Sequence, residues 1–412
     1  MAVGRGGVVA ALDVGTTKIS CFVARIDGRG SIRVGGVGHH ASSGLRAGAV
    51  VDIEAAEAAI RAAVDGAERL ANETVDEVIV SFSGGHPSSR MVGVEIGVHG
   101  RQVTDLDVDR ALAEARAHVE PGDAQVVHAI PVGFSLDGAN GIRDPRSMHG
   151  SRLGVSLHVV CVAAGALRNL ETCVERGHLS IQRRVVSSYA SGLACLVEDE
   201  MDLGATVIDM GGGTTAIAVF RGGRLVFADA VPVGGNHVTN DIALGLSTPR
   251  SHAERMKTLY GSTLPGATDE KDIMEVPSIG EEDAANATHV PRSALTGIIR
   301  PRVEETLELV RDRLETRGGA ERGGQRVVLT GGASQLQGMR EMTARILDKQ
   351  VRIGRPLRIA GLAEAAAGPG FSACAGLLLY AARDPREAAN VDTHGDTSGR
   401  LARIGRWLRE NF

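Results

Sequence analysis

The chain reads as an α/β protein of two similar lobes, with a smaller α+β unit inserted into the first lobe and an amphipathic helix at its C-terminal end. Three observations predict this. The stretch VVAALDVGTTKISCFVARIDGRGSIRVGGVG near the N-terminus is matched in character by GATVIDMGGGTTAIAVFRGGRLVFADAVPVGG from Gly204 onward. Each runs strand, Gly/Thr turn, strand, turn, strand, and such an internal repeat points to duplicated lobes on twisted sheets. From about 84 to 165 the texture changes, with two strand-like runs around one short helix. After residue 382 the sequence turns polar and then ends in the basic segment GRLARIGRWLRENF.

Size and composition agree with this organisation. At 412 residues the chain is too long for one simple core. Hydrophobic residues make up 43%, charged residues 23%, and the net charge is −5, so no basic excess recommends nucleic acid as a partner. Aromatic residues are only 3%, which leaves the cores to Val, Leu, Ile and Ala. The five cysteines are scattered and form no C-x-x-C pair, so they read as small buried apolar groups in a reducing compartment. The early run VVAALDV carries Asp13 and lacks a cleavage region, so it does not read as a secretory signal. No stretch approaches the ~18 apolar residues of a membrane span. The doublet His39–His40 is read as an exposed loop or strand end rather than a metal site.

In chain order, VVAALDV and ISCFVARID are strands around the turn GTTK, and SIRVGGVGHH is a third. DIEAAEAAIRAAVDGAERLA is a helix capped by Asp52, with Ala, Ile and Leu at helical spacing. EVIVSFSG is a strand. Within the inserted unit MVGVEIGV and AQVVHAIPVGFSLDG are strands, and DLDVDRALAEARAHV is a helix opened by acidic residues. SLHVVCVAA is a buried strand, and GALRNLETCVERG a helix ended by Gly177. After the second repeat, 265–291 is polar and acidic and is predicted to hold loops. ALTGIIRPRVEETLELVRDRLE is a long helix, QRVVLTGGASQLQGMREMTARIL a strand, Gly-Gly turn and helix, and FSACAGLLLYAAR a last apolar helix. DPREAANVDTHGDTSG is a flexible linker.

The chemistry lies in the repeated turns. The first is Asp13-Val14-Gly15-Thr16-Thr17-Lys18, the second Asp209-Met210-Gly211-Gly212-Gly213-Thr214-Thr215. Glycine lets a turn bring backbone N–H groups up to phosphate oxygens, Thr hydroxyls add donors, and Lys18 adds positive charge. Asp13 and Asp209, at strand ends, are placed to hold a hydrated Mg²⁺ from opposite sides. One such hairpin is as well explained by an ordinary Gly-rich turn, whereas two related by a repeat weigh against that. Gly331-Gly332 forms a strand-to-helix turn that can admit a flat base or a phosphate. No Walker pattern occurs, and the turns at Gly15 and Gly211 lead into strands, unlike a Rossmann fingerprint.

The C-terminal segment has two faces when wound as a helix. Leu401, Ile404, Leu408 and Phe412 share one, with the only tryptophan, Trp407, at its edge. Arg403, Arg406 and Arg409 lie opposite with Glu410 among them, and Arg400 lies near the boundary. Such a helix docks on its own domain, binds an anionic lipid surface, or serves as a basic amphipathic ligand for a protein partner. Its basicity within an acidic chain, its aromatic residues and the preceding linker favour the lipid surface.

These motifs together resemble the actin-like ATPase superfamily and, within it, the FtsA cell-division family. The resemblance is carried by LDVGTTKI, DPRSMHG, YASGLACL, VIDMGGGTTAIAVF, VPVGGNHVTNDIA, AERMKTLYG, VVLTGGASQLQGM, VRIGRP and the basic terminal helix, in that order. It implies a bilobal actin-like ATPase fold, two duplicated lobes with RNase-H-like sheets, binding ATP and Mg²⁺ between them. Asp13, Gly15, Thr16, Thr17 and Lys18 would meet phosphate and metal from one lobe, and Asp209 with Gly211, Gly212, Gly213, Thr214 and Thr215 from the other. Gly234, Gly235 and Asn236 would lie near the phosphates and sugar. Glu254 and Lys257 would flank ribose and base, with Gly331 and Gly332 covering the adenosine. The implied divisions are a first-lobe core at 1–83, continued at 166–200 and 360–382; a family-specific inserted subdomain at 84–165; and a second-lobe core at 201–233, continued at 311–359. A subdomain at 234–310 would bind the FtsZ C-terminal tail. A linker at 383–398 would lead to the membrane-targeting helix at 399–412.

The resemblance further implies self-association into actin-like filaments, recruitment of other division proteins through the inserted subdomain, and a peripheral place on the cytoplasmic face of the bacterial inner membrane at the division site. It implies slow ATP hydrolysis at most, and no residue reads as the water-activating base. A small-molecule kinase of the sugar-kinase type stands as the alternative. It would need a substrate pocket with a catalytic Asp between the lobes. A chaperone-like ATPase would need a substrate-binding domain after them.

Overall fold

A computed structural model describes residues 7–280, 288–357 and 359–383. The first lobe opens with β1 (Gly7–Val14), β2 (Lys18–Ile26) and β3 (Ile32–Ala41), followed by a small hairpin of β4 (Leu45–Arg46) and β5 (Ala49–Val50). Helix α1 (Ile53–Ala71) begins where Asp52 accepts a hydrogen bond from the Ala55 amide, and it ends in the left-handed Asn72. Strand β6 (Glu77–Phe82) completes the first pass. The inserted unit holds β7 (Ser88–Gly97), α2 (Asp105–Ala117), β8 (Ala124–Leu136), β9 (Ala139–Ile142) and β10 (Arg152–Ala163). The chain returns through α3 (Ala164–Arg176), β11 (Ser180–Val186), α4 (Ser187–Cys195) and α5 (Glu198–Leu203). The second lobe runs β12 (Ala205–Met210), β13 (Thr215–Arg221), β14 (Arg224–Val231), α6 (Gly235–Gly245), α7 (Arg250–Tyr260), β15 (Ile273–Val276), β16 (Thr288–Pro291), α8 (Arg292–Thr316), β17 (Arg326–Thr330), α9 (Met339–Leu347) and β18 (Gln350–Ile353). Helix α10 (Ser372–Ala382) closes the described part.

The two lobe sheets share one topology. The first orders β3-β2-β1-β6-β11 and the second β14-β13-β12-β17-β18. In each, the three hairpin strands pair antiparallel and the other two join in parallel. Asp13 and Asp209 occupy equivalent places near the C-terminal ends of the first strands, opposite Ser20 and Ala216. Strands β1, β2, β12 and β13 are buried nearly throughout, because helices cover them; hence their continuous apolar runs. Gly38 on β3 faces α1 so closely that a Cβ would lie 1.9 Å from the Ala63 carbonyl.

The inserted unit has its own sheet, β7-β10-β8-β9, all antiparallel, and its own core around Val98, Val108, Leu153 and Leu157. It rests on the edge of the second lobe, where the Ala228 amide donates to Ser89 Oγ at 3.0 Å and Arg224 donates to the Pro131 carbonyl. All five cysteines are buried and free.

One local expectation needs correction, and one helix end differs in its geometry. The stretch 265–291 is not loop alone: β15 and β16 pair across it, with Met274 and Val276 buried against the second-lobe core. Helix α3 does end at Gly177, but Gly177 has φ −73° and the left-handed residue is His178 at +61°. The linker and amphipathic helix, with Arg400, Leu401, Arg403, Ile404, Arg406, Trp407, Leu408, Arg409 and Phe412, lie outside the described residues. No helix among the described residues is long and apolar enough to cross a membrane.

Candidate functional site

A cleft of about 720 Å³ separates the lobes, within the range of small-molecule sites. Two hairpin turns form its floor. The Gly15 amide donates to the Lys18 carbonyl at 3.2 Å, and the Gly211 amide to the Thr214 carbonyl at 2.9 Å, so both turns close in the same way. They nearly touch. A Cβ on Gly212 would stand 1.7 Å from Thr17 Oγ1, and one on Gly213 would stand 2.6 Å from Thr16 Oγ1. Glycine at 212 and 213 therefore permits the lobes to approach, in addition to any role toward a ligand.

Each aspartate is held by a serine from another element. Ser81 on β6, the register partner of Asp13, donates to Asp13 Oδ1 at 2.6 Å. Ser191 on the buried helix α4 donates to Asp209 Oδ2 at 2.5 Å. Both carboxylates touch the cleft yet are surrounded by protein. Burial raises the Asp13 pKa despite the Ser81 bond and the Lys18 charge. Burial pushes Asp209 up to about 7, with the Asp13 charge adding to the rise and the Ser191 bond and Lys18 opposing it. Burial lowers the Lys18 pKa, while Asp13, Cys374 and Asp209 oppose that shift.

The connection to α6 spends its amide groups internally. Gly235 N donates to the Gly211 carbonyl at 2.9 Å and Asn236 N to the Gly212 carbonyl at 2.8 Å. A Cβ on Gly234 would meet the Gly211 carbonyl at 2.5 Å. This segment therefore braces the second hairpin. Lys257 Nζ joins α7 to α6, donating to Gly235 O at 3.1 Å, Thr239 Oγ1 at 2.8 Å and Glu254 Oε2 at 2.7 Å. Burial works against the Glu254 charge, but hydrogen bonds from Lys257 and Thr239 hold its pKa below the ordinary value. Gly331 takes φ +84°, and a Cβ there would fall 2.4 Å from Asp209 Oδ1.

The residues singled out from the sequence thus converge on one cleft: Asp13, Gly15, Thr16, Thr17, Lys18, Asp209, Gly211, Gly212, Gly213, Thr214, Gly234, Gly235, Asn236, Glu254, Lys257, Gly331 and Gly332 all line it. Thr215 does not. It is fully buried as the first residue of β13, and its hydroxyl donates to the Val233 carbonyl at 2.8 Å. Strand alternation explains this, since Thr214 and Thr215 point to opposite sides. Sequence reasoning missed Ser81 and Ser191, which stand behind the carboxylates, and Phe371, which lines the cleft beside Lys18. It also missed Val303, Thr306, Leu336 and Met339, which give the cleft an apolar end suited to a flat ring. Nothing local marks them, because each belongs to an ordinary helix, strand or turn pattern.

The donor set fits a hydrated divalent cation. Among the described residues no group of three or more His, Cys, Asp and Glu forms a metal site. Two carboxylates lining one cleft suit Mg²⁺, which keeps several waters and is held by one or two carboxylates.

Comparison with known proteins places this geometry. Residues 206–376 match the family described as Cell division protein FtsA, and residues 84–161 match the SHS2 domain inserted in FTSA. Cell division protein FtsA of Rhizobium meliloti (strain 1021) is 47% identical, over 99% of this chain and 96% of that protein. Among solved structures, the PilM-PilN type IV pilus biogenesis complex matches with TM-score 0.64 at 17% identity, over 91% of this chain and 99% of that one. MreB 5 of Spiroplasma citri bound to AMPPNP matches with TM-score 0.51 at 14% identity, over 95% and 99%. These two establish the actin-like architecture alone. The motifs, the inserted unit and the near full-length identity agree: this chain belongs to the FtsA family of cell division proteins.

Proposed function

We propose that this protein binds Mg²⁺-ATP between its lobes, self-associates into actin-like filaments, and tethers FtsZ, by its C-terminal tail, to the cytoplasmic face of the bacterial inner membrane during division. The observation that carries the nucleotide part is the pairing of two like hairpins, 13–18 and 209–215, across one cleft. In this reading Thr16, Thr17 and Lys18 bind phosphate from one lobe, and Gly211, Gly212, Gly213 and Thr214 from the other. Asp13 and Asp209 hold the cation through its waters. The magnesium ion, when bound, offsets phosphate charge. The ring would lie toward Val303, Leu336 and Met339, beneath Gly331 and Gly332.

The stretch 234–310 is assigned the FtsZ tail, and the inserted unit the other division proteins, on family grounds. The membrane part rests on the sequence of residues 399–412. Each Arg near an anionic leaflet contributes about 1 kcal/mol. One helix is then a reversible anchor, and a filament of many copies gains avidity. A kinase of small molecules finds less support. The cleft carboxylates among the described residues, Asp13, Asp209 and Glu254, are bonded to Ser81, Ser191 and Lys257.

Co-pelleting of the purified protein with anionic liposomes and FtsZ tail peptide, with and without Mg²⁺-ATP, tests the whole reading. Wild type is expected to sediment and to carry peptide, more so with nucleotide. A Leu408→Glu protein that sediments as wild type does would refute the anchor.

A further inference from the structure

Lys18 does not reach freely into the cleft. Its ammonium stands 3.0 Å over the centroid of the Phe371 ring. That ring is itself fixed. It stacks on the fully buried Phe22, centroids 5.9 Å apart at 26°, and meets the edge of His39 at 5.8 Å and 78°. Phe371 ends the short turn Pro369–Phe371 ahead of α10. The same turn is gripped by the second lobe, because the Gly331 amide donates to the Pro369 carbonyl at 3.2 Å and Thr330 Oγ1 to the same oxygen at 3.3 Å. A Cβ on Gly370 would stand 3.2 Å from Lys18 Nζ, so the chain passes close under the ammonium.

We propose that Phe371 is the positioning residue for Lys18: its ring seats the ammonium at the phosphate end of the cleft, on the turn that Gly331 of the second lobe holds by its amide. This rests on the nucleotide reading above. A lysine side chain loses considerable rotamer freedom when it is fixed against a ligand. The attraction of a cation for the face of an aromatic ring meets part of that cost in advance, and it is strongest where water is partly excluded. The other face of the ammonium remains available to an anion. The plain alternative is that Phe371 only packs against Phe22, in which case its effect would not pass through Lys18.

The test is a double-mutant cycle on the full chain, with wild type, F371L, F371Y, K18M and K18M/F371L, titrated with Mg²⁺-ATP, Mg²⁺-ADP and adenosine. F371L is expected to weaken ATP and ADP about tenfold and adenosine less than twofold. F371Y should restore most of the loss, and F371L should add less than twofold in the K18M background. Comparing ATP with adenosine in one preparation separates a local effect from poor folding. The inference is overturned if F371L binds ATP as well as or better than wild type, loses adenosine equally, or weakens ATP as much without Lys18. Wild type that binds no nucleotide would overturn the site reading itself. Wild type that binds, with a flat cycle, overturns only the role of Phe371.

Discussion

Thr214 of the second lobe donates a hydrogen bond to Ser83 of the first, Oγ1 to Oγ at 2.9 Å, between residues 131 apart in sequence. The bond spans the cleft beside the two Gly/Thr turns. It therefore favours the arrangement in which both hairpins face one ligand.

The first prediction concerns this bond. Its net value is about 1 kcal/mol, or about fivefold in an equilibrium constant. Ser83→Ala should weaken Mg²⁺-ATP binding by about that factor in calorimetry, and Thr214→Val, which also lines the cleft, by at least as much. The double substitution should be no weaker than the worse single one.

Gly212 makes a harsher demand. A Cβ there meets Thr17 Oγ1 at 1.7 Å and Thr17 Cβ at 3.0 Å, so rotating the Thr17 hydroxyl away still leaves Gly212→Ala tight against the opposite turn. We expect a loss of nucleotide affinity of at least about tenfold with little change in urea stability, since the strain is relieved by opening the cleft rather than by disturbing either core. A melt showing both lobes destabilised would contradict this.

Asp209 predicts a pH dependence. Its pKa in the folded protein, about 7, lies well above the ordinary carboxylate value of 3.8. The folded state therefore holds a proton that the unfolded chain releases, and this group's contribution to stability falls as pH rises from about 4 to 7. A Mg²⁺ ion must compete with that proton, so Mg²⁺-ATP affinity should rise as pH passes upward through 7. Asp209→Asn should flatten the affinity profile, weaken binding strongly, and raise the melting temperature of the ligand-free protein at pH 8 more than at pH 4.

Lys257 and Glu254 should differ. Glu254 is half exposed, so the ion pair itself contributes little. Lys257 is mostly buried and also holds the Gly235 carbonyl and Thr239. Lys257→Met should cost about tenfold in nucleotide affinity, from loss of a charged bond that braces α6. Glu254→Gln should cost less than about threefold.

Much of this was legible from local patterns. The repeat around Asp13 and Asp209 implied two like sheets, because a strand–turn–strand unit buries its apolar faces in the same way wherever it occurs. Asp52 and its following periodicity placed α1 to within a residue. The hairpin of β15 and β16 was not legible, since its two short strands are polar on one side and separated in sequence. Thr215 was misplaced because the motif lists it beside Thr214, while the pleat turns it into the core.

By itself, then, the sequence determined the α/β class, the duplication, the inserted unit and the Asp, Gly and Thr residues of both turns, because these follow from alternation, turn chemistry and repeats within a short span. Only the tertiary structure decided that Ser81 and Ser191 stand behind the two aspartates, that Gly235 and Asn236 brace a hairpin, and that Phe371 lies under Lys18. The residues of those pairs are brought together by sheet pairing and helix packing over separations that reach more than 350 residues in the Lys18–Phe371 contact. The burial that raises the Asp209 pKa comes from the same packing, which no local pattern encodes.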